Sequence, residues 1–169
     1  MNNLNKCPII RSTRRNHALE HATMKVLAEK YKGVKMMGHS NPTGFLLLAD
    51  LPTELVTEAV LEARKRLQAG EADLAIHPGC GTNYAASSFL AGSASFAVLM
   101  ALSGGKTPKW WHILLSTLVA VPVYIFSKPI GPRLQKAITT DADVEGLEVK
   151  LVTSQKTRNG FFHQINTQA

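Results

Sequence analysis

The strongest chemical signal lies in the run His17-Ala18-Leu19-Glu20-His21. A spacing of four puts the two imidazoles on one face of a helix, one turn apart. Two neutral imidazoles so placed can share a Zn²⁺ ion. Glu20 stands beside them and can accept a proton from a metal-bound water. The plain alternative is a capped helix with two surface histidines and a charge-balancing glutamate.

A zinc site needs a third protein ligand, so the surrounding elements matter. Ser12 or Thr13 caps a helix running to about Tyr31, with Leu19, Ala22, Val26 and Leu27 on its apolar face. Gly33 ends it. Val34 to His39 and Gly44 to Leu51 flank the turn residues Ser40-Asn41-Pro42-Thr43 and read as a β-hairpin. Pro52 and Glu54 open a second helix, which Gly70 closes. A short strand from Ala72 to His77 follows. Two antiparallel helices of about eighteen residues each should align their ends. That brings Glu71, just past the second helix, toward His17 and His21, with His77 and Cys80 in range behind it. Glu71 also reads as an ordinary exposed carboxylate. Cys80 has three readings: a metal ligand, a redox thiol or a small buried hydrophobe. Asn83 closes the segment His77 to Asn83 and is a further candidate ligand or hydrogen-bond partner to one.

The middle of the chain is different. Ala85 to Leu102 reads AASSFLAGSASFAVLMAL and Trp110 to Ser127 reads WWHILLSTLVAVPVYIFS, neither with a charged residue. As helices these runs are about 27 Å long, close to the hydrocarbon thickness of a bilayer. Trp110, Trp111 and Tyr124 lie near the ends of the second run, as in an aromatic belt. Ser88 with Gly92, and Ala91 with Ser95, supply the small pairs of close helix packing and a route to a homo-oligomer. His112 reads as an interface residue. The alternative, a soluble core hairpin, needs many polar helices to wrap it. The short loop Ser103 to Lys109 returns both ends to one side. Lys65, Arg66, Lys128, Arg133 and Lys136 flank that side, against Lys106 and Lys109 on the other. The positive-inside rule puts both termini in the cytoplasm, at the inner membrane. Cys7 and Cys80 then stay reduced.

Beyond the spans, Leu147 to Ser154 and Phe161 to Thr167 flank an Asn159-Gly160 turn signal. The domain reading is therefore 1–83, an α+β domain; 84–128, a two-helix transmembrane hairpin; and 129–169, a β-hairpin segment that can complete the sheet. The fold class is α+β, two helices packed on a small antiparallel sheet, interrupted by the hairpin. The formal charge of +7 is spread over both ends and the loop. With no phosphate-binding glycine loop and no serine elbow, it argues for lipid contact at Arg64 to Arg66, not for nucleic acid.

HALEH, the hairpin with Asn and Thr at its turn, and LPTELVTEAVLEA resemble the pitrilysin-type (inverted zincin, HxxEH) metallopeptidases over roughly Arg14 to Glu71. The resemblance implies His17 and His21 as zinc ligands and Glu20 as general base. That family's ligand glutamate stands farther along the chain; Glu71 matches it in role at a shorter spacing. The larger second domain that closes the family's peptide chamber has no counterpart. NHALEHAT, GFLLLAD and QAGEADLAIHPGCGTN, with the paired spans, resemble a family of small uncharacterised bacterial membrane proteins. Two functions follow. One is a membrane-anchored zinc hydrolase acting on a peptide substrate. The other is a non-catalytic accessory or assembly subunit of a membrane complex, with a structural metal or none.

Overall fold

A computed structural model describes residues 3–157 and 160–168. The chain divides into two compact units, Met1–His77 with Lys136–Ala169, and Pro78–Gln135. The C-terminal segment thus belongs with the first 77 residues.

In the first unit α1 spans Pro8–Lys30. It starts a turn earlier than Ser12 or Thr13 would suggest. Pro8 sits at the first turn, where its fixed φ suits a helix and its missing N–H costs nothing. Thr13 is interior, its hydroxyl donating back to the Ile9 carbonyl. β1 (Met36–Asn41) and β2 (Gly44–Ala49) form the expected hairpin. Its turn is tied by Asn41 Oδ1, which accepts from the Thr43 backbone and hydroxyl at 2.9 and 2.8 Å. α2 covers Thr53–Gln68. The expected strand at 72–77 is instead a 3₁₀ helix, Ala72–Ala75, packed by Leu74 and Ala75. Gly70, at φ 94°, turns the chain sharply ahead of it.

β3 (Glu148–Thr157) and β4 (Gly160–Gln168) complete an antiparallel sheet in the order β1-β2-β4-β3. Asn159, half of the turn signal, lies outside the described residues. β4 pairs with β2 from Gly44↔Asn166 to Ala49↔Phe161. Alternation puts Phe45, Leu47, Ala49 and Ile165 inward, where they meet Leu19, Val26 and Leu27 of α1 and Val56, Val60 and Ala63 of α2. Each such buried aliphatic contributes about 1.5–3 kcal/mol.

The second unit contains α3 (Gly81–Ser103), α4 (Trp110–Ser127) and α5 (Ile130–Leu134). α3 and α4 are long and apolar enough to cross a membrane. Only 11% and 17% of their apolar stretches are buried. Their large side chains point outward, Phe126 being 81% and Trp110 75% exposed. What they bury is small or polar: Asn83, Ser87 and Ala91 on α3, and His112, Ser116 and Ser127 on α4. Ala91 thus faces inward, while Ser88 and Gly92 stay on the outer surface. His112 caps α4, its Nδ1 accepting the Lys109 N–H at 3.3 Å.

Candidate metal centre

His17 and His21 lie on one face of α1, ring centroids 4.2 Å apart. Their ligand-capable nitrogens come within 4.8 Å of each other. His77 follows the 3₁₀ helix and brings its ring to 5.6 Å from His21. The first unit therefore gathers three imidazoles, with His21 buried and the other two half-buried.

Each helical histidine is held the same way. His17 Nδ1 lies 3.0 Å from the Thr139 carbonyl, and His21 Nδ1 2.8 Å from the Ala75 carbonyl. A carbonyl oxygen only accepts, so both Nδ1 atoms carry the proton. In the neutral ring, Nε2 then keeps the lone pair. Metal-ligating histidines are oriented by this same backbone bond.

The supporting contacts come from the far end of the chain. Buried Arg14 donates to the carbonyls of Ala137 and Thr140, at 3.4 and 2.8 Å. Together with His17 it satisfies carbonyls left over where the turn Gln135–Thr139 ends. Arg15, also buried, donates to the Asp143 carbonyl at 2.5 Å and to that of Glu145. Burial lowers its pKa, partly offset by Asp143. The hydroxyl of Thr139 is buried with no hydrogen-bond partner. None of these contacts is visible in sequence, because the partners are more than 120 residues apart.

Glu20 is buried. Its Oε2 accepts from the Ser40 hydroxyl, and its carboxyl group packs over Gly38. Both residues belong to β1.

Glu71 is placed elsewhere. It is exposed and pairs with Arg66 at 2.8 Å, and Arg66 also reaches Glu29 at 2.7 Å. The cause is helix length: α1 has 23 residues and α2 has 16. The two run antiparallel, with Lys30 beside Glu62 and Glu29 beside Arg66. The end of α2 thus meets the last turns of α1. The chain then runs back along α1, Asp73 accepting from Lys25 and Ala75 meeting His21. Glu71 falls short of the histidines, and His77 arrives beside His21. The pairing of Arg66 with two acids also leaves it little charge for lipid.

Asn83 and Cys80 belong to the second unit. Asn83 donates to the Pro78 carbonyl at 2.9 Å and accepts from Gln135. It packs against Gly131, where any side chain would collide with it. Asn83 thus ties the start of α3 to α5. Cys80 is buried at the N-cap of α3, and neither cysteine is in a disulfide.

His163, which carries no local motif, is fully buried on β4 opposite Leu47 and Ser154. Neither ring nitrogen makes a hydrogen bond of ordinary geometry. Burial lowers its pKa, and the nearby Leu51 and Ala49 carbonyls offset only part of that.

Residues 12–152 match a family model described as a domain of unknown function, DUF6391. An uncharacterized protein of Picosynechococcus sp. is 31% identical over 142 residues, covering 75% of this chain. The chain spans 65% of the length of that relative. No solved structure matches.

Proposed function

The chain belongs to the DUF6391 family, a domain of unknown function, and from its own residues we propose a membrane-anchored zinc-binding protein that performs metal-assisted hydrolysis. The observation that carries the metal reading is the pair of Nδ1 bonds, His17 to Thr139 and His21 to Ala75. They turn both Nε2 atoms into ligands on one helix face. His77 is the third ligand, in place of Glu71. Three imidazoles and an open position make a catalytic zinc shell. A zinc ion there supplies Lewis acidity and lowers the pKa of a bound water. Glu20 would serve as the base toward such a water for hydrolysis of a peptide carbonyl, in keeping with the resemblance to inverted zincins.

The outward apolar side chains of α3 and α4 support insertion as a hairpin. Lys128, Arg133 and Lys136 then hold the ends of the hairpin, and both termini, on the cytoplasmic side of the inner membrane. Ser88 and Gly92, left on the outer surface of α3, suit contact with a second copy.

A second reading, a structural metal in an accessory subunit of a membrane complex, takes Glu20, buried against Ser40 and Gly38, as a structural carboxylate instead. The fourth position separates the two: water for catalysis, a protein side chain for structure.

The test is zinc per chain in the purified full-length protein. Near one zinc is expected for wild type and near none for His21→Ala; equal zinc in both sinks the site. His77→Ala and Cys80→Ser then identify the remaining ligands. Glu20→Gln should keep zinc and lose hydrolysis. For topology, exposed Cys7 should react with an impermeant maleimide only after cells are opened.

A further inference from the structure

We infer that Gly38 and Ser40 of β1 are positioning residues for Glu20, a cradle that sets which way its carboxylate points. This rests on the metal reading above and adds a strand to it.

Gly38 is the first sign. A glycine inside a strand costs conformational entropy and packing, and often marks a close approach. Its φ is not among the positive values, so the backbone itself accepts any residue. What requires glycine is space: a Cβ would overlap Oε1, Cδ and Cγ of Glu20. Ser40, two residues on, projects from the same face of the strand. Its hydroxyl donates to Oε2. One carboxylate oxygen is thus held by Ser40 while the other lies over Gly38. The strand is pinned in turn. Asn16, one helical turn before Glu20 and fully buried, donates to the Asn41 carbonyl at 2.9 Å and accepts from Thr167 at 2.7 Å. Helix and strand are thus locked together beside the site, and a charged side chain keeps one orientation between them.

The test uses the full-length protein in detergent, cobalt(II) as the metal probe and acetohydroxamic acid as a ligand that hands a proton to a neighbouring base. Cobalt affinity should be equal in wild type, Ser40→Ala, Ser40→Thr and Gly38→Ala. Hydroxamate affinity should fall about tenfold in Ser40→Ala and Gly38→Ala and recover in Ser40→Thr. Adding Ser40→Ala to Glu20→Gln should cost nothing further, because both act through one carboxylate. Wild-type hydroxamate affinity in Ser40→Ala, or a full additive loss in the double variant, overturns the cradle and leaves the metal site standing. Wild-type protein that binds no cobalt sinks the metal site and the cradle with it.

Discussion

The two units bury opposite kinds of residue. The first hides Leu19, Leu27, Phe45, Leu47 and Ile165. The second hides Asn83, Ser87, Ser116 and Gln135 and turns Phe89, Phe96, Leu118 and Phe126 outward. In water the first arrangement gains from apolar burial and the second loses. The second makes physical sense against a solvent as apolar as its own surface. There, water-driven burial does not hold helices together, so small-residue packing and hydrogen bonds such as Asn83–Gln135 must.

That contrast can be broken at its largest effect first. Phe96→Arg with Leu118→Arg puts two charges at the middle of α3 and α4, which inside a bilayer cost about 2.5–3.5 kcal/mol each. The doubly substituted protein should be lost from carbonate-washed membranes. Met37→Lys, an equally outward apolar residue of the first unit, should stay within about 0.5 kcal/mol of wild type. Wild-type protein released by the carbonate wash would make the second unit an ordinary soluble hairpin, and retention of the double variant would show that Phe96 and Leu118 do not face lipid.

Leu47→Ala should cost about 2–5 kcal/mol of stability in chemical denaturation, because it opens a cavity under both helices. A smaller effect follows at His163. Its pKa is lowered in the folded state from an unfolded value of 6.5. The unfolded chain therefore binds the proton first, and stability is full above pH 6.5 and declines as pH falls below it. His163→Leu should remove that decline and raise stability by about 1–3 kcal/mol, by deleting buried polar nitrogens that lack hydrogen bonds. An unchanged acid profile in the variant would assign the decline to other groups. The smallest effect is expected at Arg66→Ala. Its ion pairs with Glu29 and Glu71 are exposed on the acid side, and the change should be under about 1 kcal/mol and vanish in high salt. A larger loss would make this corner a structural clamp.

Local patterns carried most of the fold. Alternation and turn residues placed β1 and β2, and the uncharged runs placed α3 and α4 to within a few residues. The start of α1 was hidden because Thr13, a plausible cap, bonds backward to Ile9 inside the helix. The site was half legible. Spacing paired His17 with His21, but what else reaches them depended on helix lengths: α2 is seven residues shorter than α1, which leaves Glu71 beside Arg66. Arg14, Arg15 and Asn16 gave no local signal, since their partners are Thr140, Asp143 and Thr167 at the opposite end of the chain.

The strand order has a biosynthetic consequence. β4 sits between β2 and β3, so the hairpin made first waits for a neighbour made last. Both α3 and α4 leave the ribosome before Thr139 can receive His17 or Ile165 can enter the core. A nascent chain stalled after α4 therefore carries its histidines without the carbonyl that orients the first of them. The first unit closes only after α3 and α4 have been synthesised, and the order of translation delays the seating of His17 on Thr139 until the second unit is complete.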